Sequence, residues 1–161
     1  ARGLGDVYKR QGMNDFKPFD DKLAGLIAAL SPTARRRMAA DIAKTLRARQ
    51  QRRIKTQKAP DGTPYAARKR QPVKAKKGRV KREMFAKLRT SRFMKASAGN
   101  DAAVVEFTGK VQRMVNVHQY GLKDKPGRNS APVQYDARPL IGFNDDDRQV
   151  VEEIIISKLS V

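Results

Sequence analysis

The chain is 161 residues long, which suits a single domain with a proper core. Lys and Arg number 36 against 16 Asp and Glu, so the formal net charge is +20, and the 39% of apolar residues excludes a wholly disordered polycation. With no Cys and a single His, the chain has too few ligands for the usual zinc sites. An apolar run of about 18 residues, which a transmembrane helix needs, is also missing from the sequence. We therefore predict no metal, no other cofactor and no membrane partner.

The positive charge is concentrated in one block of the chain. Residues 34 to 95 hold 23 Lys and Arg against three acids, whereas the rest of the chain holds 13 residues of each sign. The whole excess therefore forms a patch in the sequence and is not an even background.

The first twelve residues, ARGLGDVYKRQG, precede Met13 and look like a translated linker. We expect residues 1 to 12 to be a non-native leader. Residues 13 to 161 are then expected to form one domain.

Two helices are predicted next. A short amphipathic helix is expected from Asp20 or Asp21 to Leu30, because apolar residues recur at helical spacing after acidic capping residues. Ser31 is a good N-cap and Pro32 a good first helical residue, which predicts a second helix over residues 32 to 56. Beyond Leu46 this helix is polar nearly all round, so we expect its second half to bury little.

Turn residues end the second helix and a basic loop follows. Residues 59 to 64 place two prolines around the pair Asp61-Gly62, whose glycine can take a positive φ. Residues 66 to 82 then carry nine Lys or Arg and no acid. We expect a mobile loop over about residues 66 to 82.

The middle of the chain predicts a helix and a hairpin. Apolar residues after Arg82 indicate a third helix that ends by Thr90. Residues 93 to 98 and 102 to 108 are typical of two strands, joined by a turn at 99 to 101.

The next part of the chain is less regular. The apolar pattern of residues 111 to 120 permits a helix or a strand, and we favour the helix. Residues 122 to 132 predict a second polar loop. Residues 133 to 142 are expected to be extended, because Pro132 and Pro139 oppose a helix.

The last helix begins with a strong signal. Asn144 is a good cap, and Asp145, Asp146 and Asp147 place negative charge at the positive end of the helix dipole, which predicts a helix to about Ser160. The alternative is a site for a hard cation. Because consecutive helical residues point about 100° apart, three in a row cannot converge on one ion unaided, so capping is favoured.

The single histidine is the remaining candidate for chemistry. His118 lies beside an apolar segment, and a structural histidine that is hydrogen-bonded near a helix end is favoured over a catalytic one. The sequence contains no Gly-x-Ser-x-Gly elbow and no glycine pattern typical of phosphate binding. We predict no catalytic residue.

The basic block itself has three interpretations. It can neutralise nucleic-acid phosphates, it can dock an acidic protein, or it can be a solvated surface. Few aromatic residues are interleaved with it, so a base-stacking platform is not indicated.

Four short segments follow one another in a distinctive order. They are the arginine-rich helix end around Gln50 to Ile54, the turn from Pro60 to Tyr65, the tetrapeptide His118 to Gly121, and the segment Ala137 to Gly142 before the acidic-capped last helix. In this order they resemble the phage virion morphogenesis family, the protein S type of tail-completion protein of contractile-tailed temperate phages. The resemblance covers most of the chain from Met13.

This resemblance implies a fold and a role. The fold is α+β, with N-terminal helices, a small antiparallel sheet and a C-terminal helix in one compact domain that carries a basic mobile loop. The role is structural and not enzymatic: the protein completes the tail at its head-proximal end and supports stable head–tail joining. The alternative is a basic nucleic-acid-binding protein of ribosomal or nucleoid type, which shares the composition but not the ordered motifs.

The resemblance also implies partners and a location. The partners are further copies of the chain in a ring, with six members in similar tail-end proteins, together with the tail tube protein and the head–tail connector proteins. The charge of such a ring also requires acidic partner surfaces or DNA nearby. The location is the head-proximal end of the virion tail, after assembly in the host cytoplasm.

Two sets of residues carry these predictions. Candidates for contact with a partner or a polyanion are Arg49, Arg52, Arg53, Lys55, Arg68, Lys69, Arg70, Lys74, Lys76, Lys77, Arg79 and Lys81. Residues of the family motifs with an expected structural role are Pro60, Asp61, Gly62, Tyr65, His118, Gln119, Tyr120, Gly121, Arg138, Pro139 and Gly142.

Overall fold

The fold was obtained as a computed structural model, which describes residues 2–3, 17–68, 83–99 and 102–159. Helices and short strands together make an α+β fold, which confirms the predicted class. The chain divides into a first unit, Ala1–Arg49, Lys95–Glu106 and Phe143–Val161, and a second unit, Gln50–Met94 and Phe107–Gly142. Across the described ranges, no helix is both long and apolar enough to cross a bilayer.

Two helices lie in the described range 17–68. Helix α1 spans Lys17–Ala28 and helix α2 spans Pro32–Lys55. The backbone N–H of Ala34 donates to Ser31 Oγ at 3.1 Å, so Ser31 caps α2 as predicted.

A three-stranded sheet consists of β1, Arg2–Gly3, β2, Met94–Ala98, and β3, Ala102–Phe107, in the spatial order β1-β3-β2. Strands β2 and β3 confirm the two predicted strands. Strand β1 pairs antiparallel with residues 102 and 103 of β3. Arg2 and Gly3 belong to the expected leader, and the other residues of that leader lie outside the described ranges.

The second unit contains one helix and a short ribbon. Helix α3 spans Gln112–Tyr120 and confirms the helix that the sequence favoured. Strands β4, Lys123–Asp124, and β5, Val133–Gln134, pair antiparallel, with Lys123 opposite Gln134. The predicted polar loop, residues 122 to 132, therefore contains strand β4 and connects it to strand β5.

The last helix, α4, spans Asp145–Leu159 as predicted. It packs its apolar side against α1 and α2 in the first unit. The buried core there consists of Leu23, Ile27, Met38, Ala39, Ile42, Val151 and Ile155.

Two sequence predictions about the helices are wrong. The third helix predicted between Arg82 and Thr90 is a series of turns, because Phe85 has a φ of 65°, a left-handed conformation that interrupts a helix. The second half of α2 does bury side chains, since Gln50 and Ile54 are both buried. The expected loop lies outside the described residues except for residues 66 to 68, which form no regular structure.

Candidate functional site

The four motif segments come together in the second unit. We call them the motif cluster: residues 50–54, 60–65, 118–121 and 137–142. Their polar side chains bond mainly to backbone groups of the other segments, as the next paragraphs describe. The cluster therefore fixes the course of the backbone.

The turn of the motif cluster has the predicted geometry. The backbone N–H of Gly62 donates to the carbonyl of Ala59 at 2.9 Å, and Gly62 has a φ of 89°. The N–H of Thr63 donates to the Asp61 carboxylate at 2.9 Å. This hydrogen bond stabilises the turn and lowers the pKa of Asp61, because it favours the charged carboxylate.

Gln119 holds the third segment against the fourth. Its Oε1 accepts from the backbone N–H groups of Leu140 and Ile141 at 2.7 and 3.1 Å, and its Nε2 donates to the Ile141 carbonyl at 2.9 Å. One amide side chain thus makes the three bonds that a neighbouring strand would supply. Residues 140 and 141 are therefore kept extended although they belong to no sheet.

Gly121 ends helix α3 and permits a close approach. Its φ of 64° is left-handed, and a Cβ at this position would lie 2.8 Å from the backbone nitrogen of Ala137. The N–H of Leu122 completes the helix end by donating to the Val117 carbonyl at 3.0 Å. Glycine is therefore required here for both conformation and space.

Arg138 is a buried cation that binds backbone. Its Nε donates to the Ala66 carbonyl at 2.8 Å and its Nη2 to the Ala67 carbonyl at 3.0 Å, while its backbone N–H donates to the His118 carbonyl at 2.6 Å. The carboxylate of Asp136 lies 3.7 Å from the same guanidinium group. Arg138 therefore fixes the chain just before residue 69, where the described part of the basic segment stops.

Pro139 and Gly142 complete the fourth segment. The hydroxyl of Tyr65 donates to the Pro139 carbonyl at 2.8 Å, and burial raises the pKa of Tyr65 to about 12. The Gly142 carbonyl accepts from Gln50 Nε2 at 2.5 Å and from Arg53 Nη2 at 3.0 Å. These bonds tie the turn and the end of α2 to the same segment.

A Cβ on Gly142 would meet the turn directly. It would lie 2.5 Å from Cγ and 2.8 Å from Cβ of Pro60. The motif residues Pro60 and Gly142 therefore act as a matched pair, in which the proline ring occupies the space that the glycine leaves.

His118 lies in a row of aromatic rings. Its ring centroid is 4.9 Å from that of Phe85 and 5.1 Å from that of Tyr135, and the Phe85 ring lies 5.7 Å from Tyr65. Burial, assisted by the positive charge of Arg138, lowers the pKa of His118. The ring therefore favours the neutral form.

The prediction that the His118 side chain is hydrogen-bonded needs correction. Its Nδ1 is buried and has no hydrogen-bond partner among the described residues. The residue contributes its backbone carbonyl and the edge-to-face contacts of its ring instead.

The basic candidates differ in their surroundings. Arg52, Lys55 and Arg68 are exposed. Arg53 is tied to Gly142, and the Nε of Arg49 donates to Asp147 at 2.6 Å. The remaining candidates, from Lys69 to Lys81, lie outside the described residues.

The start of α4 explains the bond of Arg49. Asn144 Oδ1 accepts from the Asp147 N–H at 2.7 Å, while Asp147 Oδ2 accepts from the Asn144 N–H at 3.1 Å. This reciprocal capping box holds the carboxylate of Asp147, which is 0% exposed, towards Arg49. Asp145 and Asp146 are exposed, so the three acids do not point to one place.

Tyr120 is the exception within the motifs. Its side chain is 69% exposed, whereas its neighbours in the tetrapeptide make the contacts described above. Its role is therefore not explained by the packing of the second unit.

Gln57 matters to the cluster but escaped sequence analysis, and Gln50 was named there only as the start of a motif segment. Gln57 donates from Nε2 to the Met84 carbonyl at 2.9 Å and accepts from the Met84 N–H at 3.0 Å on Oε1. Gln50 is buried beside Gly142. Gln50 lies in the polar end of α2 and Gln57 in the turn that follows this helix, and at neither place does a glutamine give a periodic signal.

The comparisons with known proteins agree with the motifs. The tail completion protein S of Escherichia phage P2 is 53% identical over 148 residues, which cover 91% of this chain and 99% of that protein. No solved structure is significantly similar. The model of the phage virion morphogenesis family matches residues 14–160. Since this match spans nearly all of the chain, the protein belongs to the phage virion morphogenesis family.

Proposed function

We propose that the protein completes the phage tail at its head-proximal end and supports stable joining of the tail to the head. The observation that carries the proposal is the 53% identity, over nearly the whole of both chains, to a protein named for tail completion. A structural role in the phage tail, together with association with other tail components, follows from that relationship. The finer statements in the next paragraphs are our proposals.

The geometry of the motif cluster supports a structural role. The side chains of Gln119, Arg138, Tyr65 and Gln50 bond to backbone carbonyls or amides, which positions chain segments and activates no nucleophile. His118 has neighbouring rings where a catalytic histidine needs an orienting acceptor. We therefore propose that the protein is not an enzyme.

We propose that the protein acts as a ring of identical subunits, with six members, bound to the tail tube protein and to the head–tail connector proteins. A ring of chains that each carry +20 concentrates positive charge, so it requires acidic partner surfaces or DNA nearby. Among the described candidates, Arg52, Lys55 and Arg68 are exposed for such contacts. Lys69, Arg70, Lys74, Lys76, Lys77, Arg79 and Lys81 remain predicted contact residues.

A phage whose own tail-completion gene is inactivated provides the test. Production of this chain in the host cytoplasm should restore infectious particles, and electron microscopy with a labelled chain should show the label where the tail meets the head. The proposed position would be refuted if the micrographs showed free heads and complete tails, with the labelled chain on the tails away from their head-proximal end. A variant with Gln119→Leu, which loosens the motif cluster, should rescue less than a matched Asn129→Leu change at an exposed amide between β4 and β5.

Nucleic-acid binding is the second candidate, favoured by the concentration of the whole charge excess in residues 34 to 95. If the protein acts by binding duplex DNA, its affinity should fall steeply with salt, with a slope set by the number of phosphates contacted. The assembly proposal instead requires binding to tails that persists after nuclease treatment. The two measurements separate the candidates.

A further inference from the structure

Helix α3 presents an outer face that ends at Tyr120. Arg113, Asn116 and Tyr120 follow one another at spacings of three and four, so they share one side of the helix, and all three are exposed. The Tyr120 hydroxyl has no hydrogen-bond partner in the part of the chain that the structure describes. The large amphipathic ring of Tyr120 is thus exposed and does not contribute to the packing of the second unit.

Positive charge surrounds this ring. The Nη2 of Arg113, whose side chain is 85% exposed, donates to Asp124 at 2.8 Å, which brings strand β4 alongside α3. Leu122, Lys123 and Lys125 lie around that strand and are exposed. Asp124 is the acid in this stretch and is already engaged. We call Arg113, Asn116, Tyr120, Leu122, Lys123 and Lys125 the Tyr120 surface.

Helix α4 carries a surface of opposite character. Asp145, Asp146, Glu153 and Ile156 lie within one side of the helix and are exposed, while the opposite side packs into the core. The three carboxylates have no ion-pair partner within the described ranges, and Ile156 is 45% exposed. We call these four residues the α4 outer face.

We propose that the α4 outer face of one copy docks on the Tyr120 surface of a second copy. Three carboxylates then face Lys123 and Lys125, while Ile156 meets Tyr120 and Leu122. This is the combination of a charged rim and an apolar centre that protein interfaces use. The inference rests on the proposed function in one respect, since it supplies the contact by which the proposed ring forms.

The charges explain why the occupant is another copy of this chain. Two chains of net +20 repel each other unless an acidic surface of one meets a basic surface of the other. The two surfaces differ, so the contact is heterologous, and heterologous contacts are those that build rings. Duplex DNA would satisfy the cations but leaves the apolar side chains without a partner.

Analytical ultracentrifugation of the full chain tests the contact at physiological salt. Removal of the anchor, Tyr120→Ala, should raise the self-association Kd at least about 10-fold, as expected of an interface hot spot. Reversal of the rim, Lys123→Glu with Lys125→Glu, should do the same. The double change Asp146→Asn with Glu153→Lys, on the α4 outer face, should raise the self-association Kd by a similar factor.

A mixture provides the sharper measurement. The two charge-altered chains should each be monomeric, but together they retain one intact copy of each surface and should form a one-to-one complex. The exposed Lys87→Glu is the matched control and should leave the Kd unchanged. Circular dichroism of every variant should match the unaltered chain, because all of the altered side chains are exposed.

Several results would overturn the proposal. They are an unaltered chain that is monomeric at high concentration, an equal Kd for Tyr120→Ala, or a mixture that does not associate. Variants that lose duplex DNA binding while self-association is unchanged would also overturn it, in favour of a nucleic-acid surface. A monomeric chain that still rescues the defective phage would overturn the interface alone, whereas an associating chain that fails to rescue would overturn the proposed function alone.

Discussion

Substitution of Asp147 tests how the start of α4 is stabilised. The carboxylate accepts the Asn144 N–H at 3.1 Å and the Arg49 Nε–H at 2.6 Å, and it is fully buried. Loss of the cap in Asp147→Ala costs about 1 kcal/mol. Loss of the ion pair adds about 1–2 kcal/mol, less than for a fully buried pair, because the 27% exposed Arg49 can regain water.

We therefore expect Asp147→Ala to lower the free energy of unfolding by about 2–3 kcal/mol in urea titrations followed by circular dichroism. Asp147→Asn keeps an acceptor for the cap and should cost about 1–2 kcal/mol. The exposed neighbour provides the control, since Asp145→Ala removes only a dipole interaction and should cost about 0.5 kcal/mol.

A double-mutant cycle isolates the ion pair. When Arg49→Met is already present, the additional cost of Asp147→Asn should shrink by about 1 kcal/mol. The reasoning would be refuted if Asp147→Ala unfolded at the same urea concentration as the unaltered chain, or if the Arg49 and Asp147 changes were strictly additive.

Three further changes probe the motif cluster. Gln119→Leu deprives two backbone N–H groups of their acceptor and should cost about 2–4 kcal/mol in a urea titration, so a loss under 0.5 kcal/mol would contradict the proposed bonding. Gly142→Ala forces a Cβ onto Pro60 and should cost about 1–3 kcal/mol, whereas Gly25→Ala, in an uncrowded helical position, should stabilise by about 0.5–1 kcal/mol. Because burial lowers the pKa of His118 below 6.5, stability should be fully present above pH 6.5 and fall as the pH drops through the lowered pKa. His118→Phe should flatten that slope just below pH 6.5, because His118 is the single histidine of the chain, and an unchanged slope would exclude the assignment.

Local sequence signals predicted the elements whose ends are marked by capping or turn residues. Ser31 and Asn144 cap the helices that they were expected to cap, and the Asp61-Gly62 pair forms the expected turn. These signals act within three or four residues of the chain, so one sequence suffices to read them.

Features that depend on distant partners could not be predicted in this way. The apolar pattern around Phe85 indicates a helix, but Gln57 binds both backbone groups of Met84 and the chain turns instead. In the same way, the polar end of α2 buries Gln50 because a carbonyl 92 residues further along the chain accepts its amide hydrogen. The local sequence around Gln50 cannot predict such a bond, because the bond also depends on a partner that is distant in the sequence.

Sequence reasoning found the motif residues through resemblance but not their individual tasks. The residues of the tetrapeptide from His118 to Gly121 were predicted together as one motif, but their roles differ. Gln119 bonds to the backbone, Gly121 leaves space for Ala137, and Tyr120 faces solvent. The direction of a side chain follows from the helix to which it belongs and from what lies opposite.

The bonds of Arg138 and Gln57 have a consequence for the integrity of the chain. Arg138 secures residues 66 and 67, and Gln57 secures Met84, so the residues on either side of the segment 69–82 are held by noncovalent bonds within the second unit. A single peptide-bond cleavage inside that segment breaks none of these bonds. The protein should therefore behave as a split protein, whose two fragments remain associated after the backbone between them has been cut.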